Sequence, residues 1–213
     1  MDFERNELIS QDFYERDTIQ VARELLGQLL VRSWSDGTWT VCRVVETEAY
    51  LGLEDPCCHS FSGQSTSRTV TMFGPKGRAY VYLIYGMYHC FNVVTGHEGQ
   101  PEAILIRALE PLFGLDMVQK NRPRVHKQEA LLNGPGKLCM GLALNRKHDG
   151  LDVSSDASTV FLLRSRFWRE AELDTEVNVS ARVGLPAHKD AAGWPLRFQL
   201  LGSRFCSPQK TLS

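Results

Sequence analysis

Two acidic side chains on one predicted strand are well placed to do chemistry. Residues 38–50 alternate as a β-strand does, which would put Val44, Glu46, Glu48 and Tyr50 on one face. A carboxylate held in a partly buried site can act as a general base toward water. Carboxylates on a solvent-facing strand end would need no function, and this segment alone does not separate the two interpretations.

The segment Cys57-Cys58-His59-Ser60 contains three residues of types that bind zinc. Adjacent cysteines do not easily face one tetrahedral ion, and no second spaced pair completes a site. We therefore expect no metal and no cofactor. His59 is better interpreted as a neutral hydrogen-bonding group in a pocket.

The segment Gly134-Pro135-Gly136-Lys137 is similar to a phosphate-binding loop. Leu138 follows the lysine where the nucleotide-binding motif needs Ser or Thr, and no apolar strand precedes it, so a nucleoside-triphosphate site is not predicted. A helix starting near Pro135, with Lys137 beside it, would suit one phosphate of a longer polymer.

The predicted hairpin over residues 79–95 has an unusual tip, Tyr85-Gly86-Met87-Tyr88. Turns normally carry small or polar residues. Three explanations are open: the tip folds back onto the core, it contacts a partner protein, or it is a wedge that enters DNA. Enzymes that act on a base extrude it from the stack, and an apolar side chain can fill the gap.

Composition is that of an ordinary globular protein, with 213 residues, 43% hydrophobic residues and a net charge of −1. The basic residues are unevenly spread: residues 117–148 contain seven Lys and Arg against one Glu, which a polyanion could use. Six scattered cysteines indicate reduced thiols in a cytosol-like compartment. We expect no signal peptide and no membrane span.

Strands dominate the pattern, with several helices between them and no regular β-α-β alternation, which predicts an α+β fold. The expected strands are residues 28–33, 38–50, 79–95 (a hairpin), 104–109, 160–164, 181–184 and 196–201; the expected helices are 17–27, 111–120 and 134–144. No repeat or linker divides the chain. We expect one domain over residues 1–213, with residues 1–10 as a flexible N-terminus.

Taken together, the motifs resemble the alkyladenine (3-methyladenine) DNA glycosylase family, in its order, over roughly residues 10–205. The matching segments are Val44-Val45-Glu46-Thr47-Glu48-Ala49-Tyr50, His59-Ser60, Met72-Phe73, Tyr80-Val81-Tyr82, Tyr85-Gly86-Met87-Tyr88, Asn92-Val93, Arg107-Ala108-Leu109-Glu110-Pro111, Gly134-Pro135, Lys137-Leu138-Cys139, Arg182-Val183-Gly184 and Pro195-Leu196-Arg197-Phe198. The resemblance implies a single mixed domain with a curved antiparallel sheet, surrounding helices and a protruding β-hairpin.

The resemblance also implies a monofunctional glycosylase that excises alkylated and deaminated purines (3-methyladenine, 7-methylguanine, hypoxanthine and ethenoadenine) from double-stranded DNA. By matching position, Glu48 is the general base, Arg107 helps to hold the attacking water, and the Val183 carbonyl is a third contact. The remaining implied roles are a base pocket of Tyr50, His59, Tyr82 and Asn92, a DNA wedge of Tyr85 with Met87 and Tyr88, and DNA-backbone contacts from Thr66, Arg68 and Lys137.

Two positions depart from the family pattern: Gln64 replaces an arginine of mammalian members, and Thr69 follows Arg68 in place of asparagine. These changes affect phosphate contacts rather than chemistry. No lysine occupies a matched pocket position, which predicts water as the nucleophile, with no Schiff base and no strand cleavage. An alkylated purine is already cationic and leaves readily, whereas a neutral base should need hydrogen bonding or protonation.

Three other classes of protein compete with this interpretation: an inert nucleic-acid-binding module with aromatic stacking platforms, a small-molecule hydrolase with a Glu/His site, and a structural interaction protein. A hydrolase of free nucleosides leaves the hairpin tip unexplained, and a structural protein leaves Glu48, His59 and Arg107 without a shared purpose. We expect a monomer that acts in the cytoplasm at the nucleoid, or in the nucleus of a eukaryote.

Overall fold

The computed structural model of the protein describes residues 7–97, 99–166 and 177–207. The helices within these residues are α1 (Gln11–Tyr14), α2 (Thr18–Glu24), α3 (Leu115–Asn121) and α4 (Pro135–Gly141). The strands are β1 (Leu29–Ser33), β2 (Trp39–Tyr50), β3 (Ala79–Ile84), β4 (Tyr88–Thr95), β5 (Glu102–Phe113), β6 (Val160–Leu163), β7 (Val177–Ser180) and β8 (Arg197–Leu200).

One eight-stranded antiparallel sheet organises these elements, which confirms the α+β class. Its main path is β3-β4-β5-β2-β1-β6. The long strand β2 pairs with β5 along one edge, while β1 and β8 share its other edge, and β7 pairs with β8. Because β2 lies between these neighbours, its side chains from Glu46 to Tyr50 are enclosed by protein on several sides.

The pairing of β2 with β5 is irregular where the acidic residues lie. Register shifts on either side of Glu46 leave Val45 and Arg107 without a directly opposite partner. The sequence predicts that side chains along β2 alternate between two faces. This alternation is broken at Val44 and Val45, whose side chains both pack in the main core. The bulge at Arg107 turns that side chain toward the carboxylates of Glu46 and Glu48.

Helix α2 packs against strand β2. Asp17 caps it by accepting a 2.8 Å hydrogen bond from the Gln20 N–H, and Val21 and Ala22 are fully buried. The Thr47 hydroxyl donates to the Ala22 carbonyl at 2.8 Å, which fixes the helix against the strand. The helix ends at Glu24, three residues earlier than predicted.

Two predicted elements differ from the structure. The predicted helix over 111–120 begins only at Leu115, because β5 continues through Pro111 to Phe113 and turns at Gly114. A Cβ atom at Gly114, which has φ +70°, would lie 2.2 Å from the Trp39 carbonyl oxygen, so only glycine fits there. The predicted strand over 181–184 is wrong: these residues form a bend in which Arg182 is buried in an ion pair.

Residues 1–6, the first part of the expected flexible N-terminus, lie outside the described residues. Leu8 bridges to Leu163 and Ile9 is fully buried in the core. Within the described part of the chain, no helix has the length and apolar character needed to cross a bilayer.

Candidate active site

A cavity of about 470 Å³ opens between the β3–β4 hairpin, β5 and the loops around residues 57–59 and 183–189. This is a usual size for a site that takes a small molecule or a single base. The sequence-predicted residues that line it are Tyr50, His59, Tyr82, Tyr85, Tyr88, Asn92, Arg107 and Val183. Residues distant in sequence thus converge on one concave surface.

Glu48 lies immediately behind the cavity wall. Its side chain is 0% exposed, so the solvent-face interpretation of this strand is wrong. Oε1 accepts a 2.7 Å hydrogen bond from the Val183 N–H and lies 3.2 Å from Arg107 Nη1, while Oε2 accepts from the Tyr50 hydroxyl at 3.0 Å. All three partners line the cavity, so the carboxylate is one residue layer from it.

The pKa of Glu48 is raised above the ordinary glutamate value, chiefly because burial disfavours the charged form. Arg107 and the Val183 N–H oppose this effect by stabilising the carboxylate. A carboxylate of raised pKa is a stronger base than an exposed glutamate, which suits proton abstraction near neutral pH.

Arg107 joins both acidic residues. Its Nε donates to Glu46 Oε1 at 2.9 Å, and burial, which disfavours its charge, is outweighed by Glu48 and Glu46, so its pKa is raised. Glu46 also accepts from Arg197 Nε at 2.7 Å and from the Ser207 N–H at 2.6 Å. Glu46 is therefore saturated by donors, whereas Glu48 faces the cavity lining.

His59 lies at the cavity mouth between two hydrogen-bonding partners. Nδ1 is 3.0 Å from the Tyr80 hydroxyl, and Nε2 is 3.3 Å from Arg68 Nη2. Because arginine can only donate, Nε2 must accept, and the ring proton is assigned to Nδ1. Burial and the charges of Arg68 and Lys189 lower the pKa of His59 to about 4, so the ring is neutral at physiological pH.

Aromatic rings form the cavity walls. The His59 and Tyr82 rings meet edge to face at 4.6 Å, and the Tyr80 and Tyr82 centroids are 5.2 Å apart. Burial raises the pKa of Tyr80 to about 12, and it raises the pKa of Tyr50 and of Tyr82 as well. These phenols keep their protons and present flat faces for stacking.

Asn92 is buried on β4 at the cavity lining. Its Nδ2 donates to the Tyr80 carbonyl oxygen at 2.9 Å, which fixes the amide orientation. The cavity therefore has one amide of set direction among its aromatic walls.

The hairpin tip does not fold back onto the core. The loop between β3 and β4 contains Tyr85, Gly86 and Met87, because Tyr88 already pairs with Ile84. Tyr85 is 77% exposed and Met87 67% exposed, while Tyr88 is 38% exposed and packs near Gly136. Tyr85 also has φ +53°, a left-handed conformation that is uncommon for residues other than glycine.

The three predicted backbone contacts have different settings. Thr66 is exposed and exchanges hydrogen bonds with Thr69. Arg68 lies over the Tyr82 ring at 5.1 Å as well as on His59, at the cavity mouth. Lys137, in the first turn of α4, donates to Asn133 Oδ1 at 2.7 Å.

Several lining residues have no role in the site predicted from sequence: Tyr80, Met72, Cys57, Cys90 and Lys189. The alternating run that contains Tyr82 was a usable signal for Tyr80. Lys189 had no such signal, because it lies in a loop with no motif; its Nζ donates to the Pro56 carbonyl oxygen. Among the described residues, no group of three or more His, Cys, Asp or Glu side chains is arranged to hold a metal ion.

Comparison with known proteins identifies the family of the chain. Residues 12–204 match the family model described as methylpurine-DNA glycosylase (MPG). A protein of Bdellovibrio bacteriovorus is 43% identical over 94% of this chain and 98% of its own length. A Bacillus cereus protein is 42% identical over 92% and 96%, and a Desulfitobacterium hafniense protein 39% identical over 93% and 98%. All three carry the name "Putative 3-methyladenine DNA glycosylase".

The match spans most of the chain and includes Glu48 and all the residues that line the cavity. The resemblance seen in the separate motifs is thereby confirmed. This chain belongs to the methylpurine-DNA glycosylase family.

Proposed function

We propose that the chain is a monofunctional DNA glycosylase that excises alkylated and deaminated purines from double-stranded DNA with water as the nucleophile. The observation that carries this proposal is the position of Glu48. Its carboxylate is held by Val183, Arg107 and Tyr50, all of which line an aromatic cavity of the right size for one base.

Binding would begin with extrusion of the damaged nucleotide. Extrusion costs a few kcal/mol, and the exposed Tyr85 ring would offset part of this by filling the vacated position in the stack. Tyr85 lines the cavity as well as being exposed, so the wedge and the receiving pocket are continuous. A catalytically inert binding module would need no carboxylate behind such a pocket.

The extruded purine would stack between Tyr50 and the pair formed by Tyr82 and His59. The fixed amide of Asn92 would contact the edge of the base. This contact is of the kind that separates purines by their substituents. The family resemblance is the basis for proposing 3-methyladenine, 7-methylguanine, hypoxanthine and ethenoadenine as the substrate set.

Hydrolysis would follow from the carboxylate behind the base. Cleavage of the N-glycosidic bond develops positive charge on the sugar, which Glu48 stabilises while it takes a proton from the attacking water. Because Glu48 is fully buried, the water must enter between the carboxylate and the cavity lining, where Arg107 Nη1 and the Val183 backbone are nearest.

Lys189 bears on the prediction that no Schiff base forms. It is a cavity-lining lysine, but its amino group donates to the Pro56 carbonyl oxygen rather than toward Glu48. We therefore retain water as the nucleophile and expect abasic sites without strand cleavage. The enzyme would act as a monomer in the compartment that holds the chromosome.

The test is incubation of the protein with a set of duplexes that each carry one lesion, scored for free base and for abasic sites. Release of 3-methyladenine from DNA, with intact strands until alkali is added, is the expected result. Binding without base release would support an inert module, and turnover of free nucleosides without DNA would support a small-molecule hydrolase.

A further inference from the structure

A buried ion pair beside the active site has no part in the chemistry described above. Arg182 and Asp55 both have 0% exposed side chains. Both terminal nitrogens of Arg182 donate to the Asp55 carboxylate, with Nη2 to Oδ1 at 2.9 Å. This two-point geometry fixes the guanidinium plane as well as its position.

The pair connects three segments that carry site residues. Arg182 Nη1 donates to the Ala49 carbonyl at 2.9 Å, between Glu48 and Tyr50, and its guanidinium lies 4.6 Å from the Tyr50 ring centroid. The next residue, Val183, donates its N–H to Glu48. Because Val183 follows Arg182 directly, the fixed position of the Arg182 guanidinium restricts the direction of the Val183 N–H.

Asp55 extends the connection to the loop that carries His59. Its Oδ1 accepts from the Cys57 N–H at 2.9 Å, and its Oδ2 accepts from the Leu51 N–H at 3.2 Å. The loop after β2, the bend at Val183 and the end of β2 itself thus share one buried carboxylate.

We propose that Arg182, held by Asp55, is a positioning residue of the excision site, which aligns the Val183 N–H and the Tyr50 hydroxyl on the two oxygens of Glu48. The inference rests on the proposed function, since it assigns these contacts a part in base excision. Arg182 does not touch the substrate and acts only through Val183 and Tyr50.

A purely stabilising role fits the geometry less well. Buried ion pairs are often no more stabilising than apolar side chains of similar size, because both charges lose their hydration. Among the described residues, the buried Nε of Arg182 also has no hydrogen-bond partner, which adds a further cost of desolvation. A pair kept for stability alone would be easily improved by an apolar replacement.

The decisive variant replaces the whole pair, as Asp55→Leu with Arg182→Met, so that no single charge is left buried. The control makes the same exchange at a more exposed ion pair, which joins β2 to β5, as Glu110→Leu with Arg43→Met. We expect the Asp55/Arg182 variant to unfold within a few degrees of the wild type, yet to excise 3-methyladenine about 10- to 100-fold more slowly in single turnover. The control should excise at the wild-type rate.

A second readout is independent of activity: ¹³C NMR titration of the Glu48 carboxyl, assigned with Glu48→Gln. The ionisable side chains that face Glu48 from β2, β4 and β5 are Glu46, Tyr50, Cys90 and Arg107, and none of them is substituted. Loss of the aligned Val183 N–H should raise the Glu48 pKa further, whereas a merely structural pair would leave it unchanged.

An unchanged Glu48 titration in a folded variant would overturn the inference. If the double variant does not fold, Asp55→Asn with Arg182→Gln also leaves no buried charge and keeps polar side chains at both positions, and a smaller rise is expected in the same direction. A wild-type protein that releases no base would refute the proposed function, and the titration would still decide the role of the pair.

Discussion

The carboxylate of Glu48 and the ring of Tyr85 are at opposite extremes of burial within one site. Glu48 has three fixed partners and no exposure, whereas Tyr85 is 77% exposed on a three-residue loop in a left-handed conformation. Both arrangements cost stability: one desolvates a charge, and the other exposes an aromatic ring on an uncommon backbone conformation. The difference shows that the group we propose for proton transfer is held by the sheet, while the group we propose for DNA entry is kept free of the protein.

The largest effect on base release should come from a change at Glu48, the buried group. Glu48→Gln keeps the shape and an acceptor for the Val183 N–H but removes the base, so base release should fall by about 10²–10⁴-fold. DNA affinity, measured by fluorescence anisotropy on a lesion duplex, should persist because the hairpin is untouched. Near-normal single-turnover excision would remove Glu48 from its role.

The acid limb of the pH–rate profile should report the same carboxylate. Only ionised Glu48 can accept a proton, and burial raises its pKa, so excision should fall about tenfold per pH unit below a midpoint above the ordinary glutamate value of about 4.3. The measurement is single-turnover excision corrected for acid depurination of protein-free DNA. A midpoint at or below the ordinary value would contradict the effect of burial.

A change at Tyr85, the exposed group, should have a smaller effect on excision, which can be measured separately from that of Glu48. Tyr85→Ala should slow excision about tenfold, as about 1.4 kcal/mol of support for the flipped state is lost. Because the ring is exposed, the free energy of unfolding should change by only about 0.5 kcal/mol. The matched control is Leu83→Ala, another exposed apolar residue of the hairpin that does not line the cavity. Equal fluorescence of a reporter base with both variants would rule out the wedge.

The smallest effects should come from the proposed phosphate contacts. Each lost contact lowers the slope of log affinity against log salt by about 0.9, so Arg68→Gln and Lys137→Gln should each flatten it by that amount. Arg16→Gln, whose side chain pairs with Glu24 on α2, should leave the slope unchanged. A flat wild-type salt response would refute the whole footprint.

Local sequence patterns predicted a large part of this architecture. Alternation predicts β2, and the motifs of the hairpin and of the segment around Val183 are recognisable in the sequence alone. The alternation also predicts that Glu46 and Glu48 lie on one face of the strand. It does not predict that their carboxylates have different surroundings. Which one is saturated depends on Arg197 and Ser207, about 150 residues away in sequence.

The wrong predictions also result from contacts between residues that are distant in sequence. Residues 181–184 have the composition of a strand, yet the buried pair of Arg182 with Asp55 and the left-handed φ of +80° at Gly184 hold them in a bend. Lys189 enters the cavity lining only because that bend returns its loop to His59. Such long-range contacts leave no periodic trace in the sequence.

The tautomer of His59 has a consequence for the kinds of damage that the enzyme can remove. Its Nδ1–H donates to the Tyr80 hydroxyl, and its Nε2 accepts from Arg68. Because the pKa of His59 is about 4, the ring is neutral at physiological pH and has no further proton to donate to a leaving base. A methylated purine brings its own positive charge and needs no proton in order to leave. Hypoxanthine, one of the proposed substrates, would need a proton from another group, so we expect it to be released more slowly than a methylated purine.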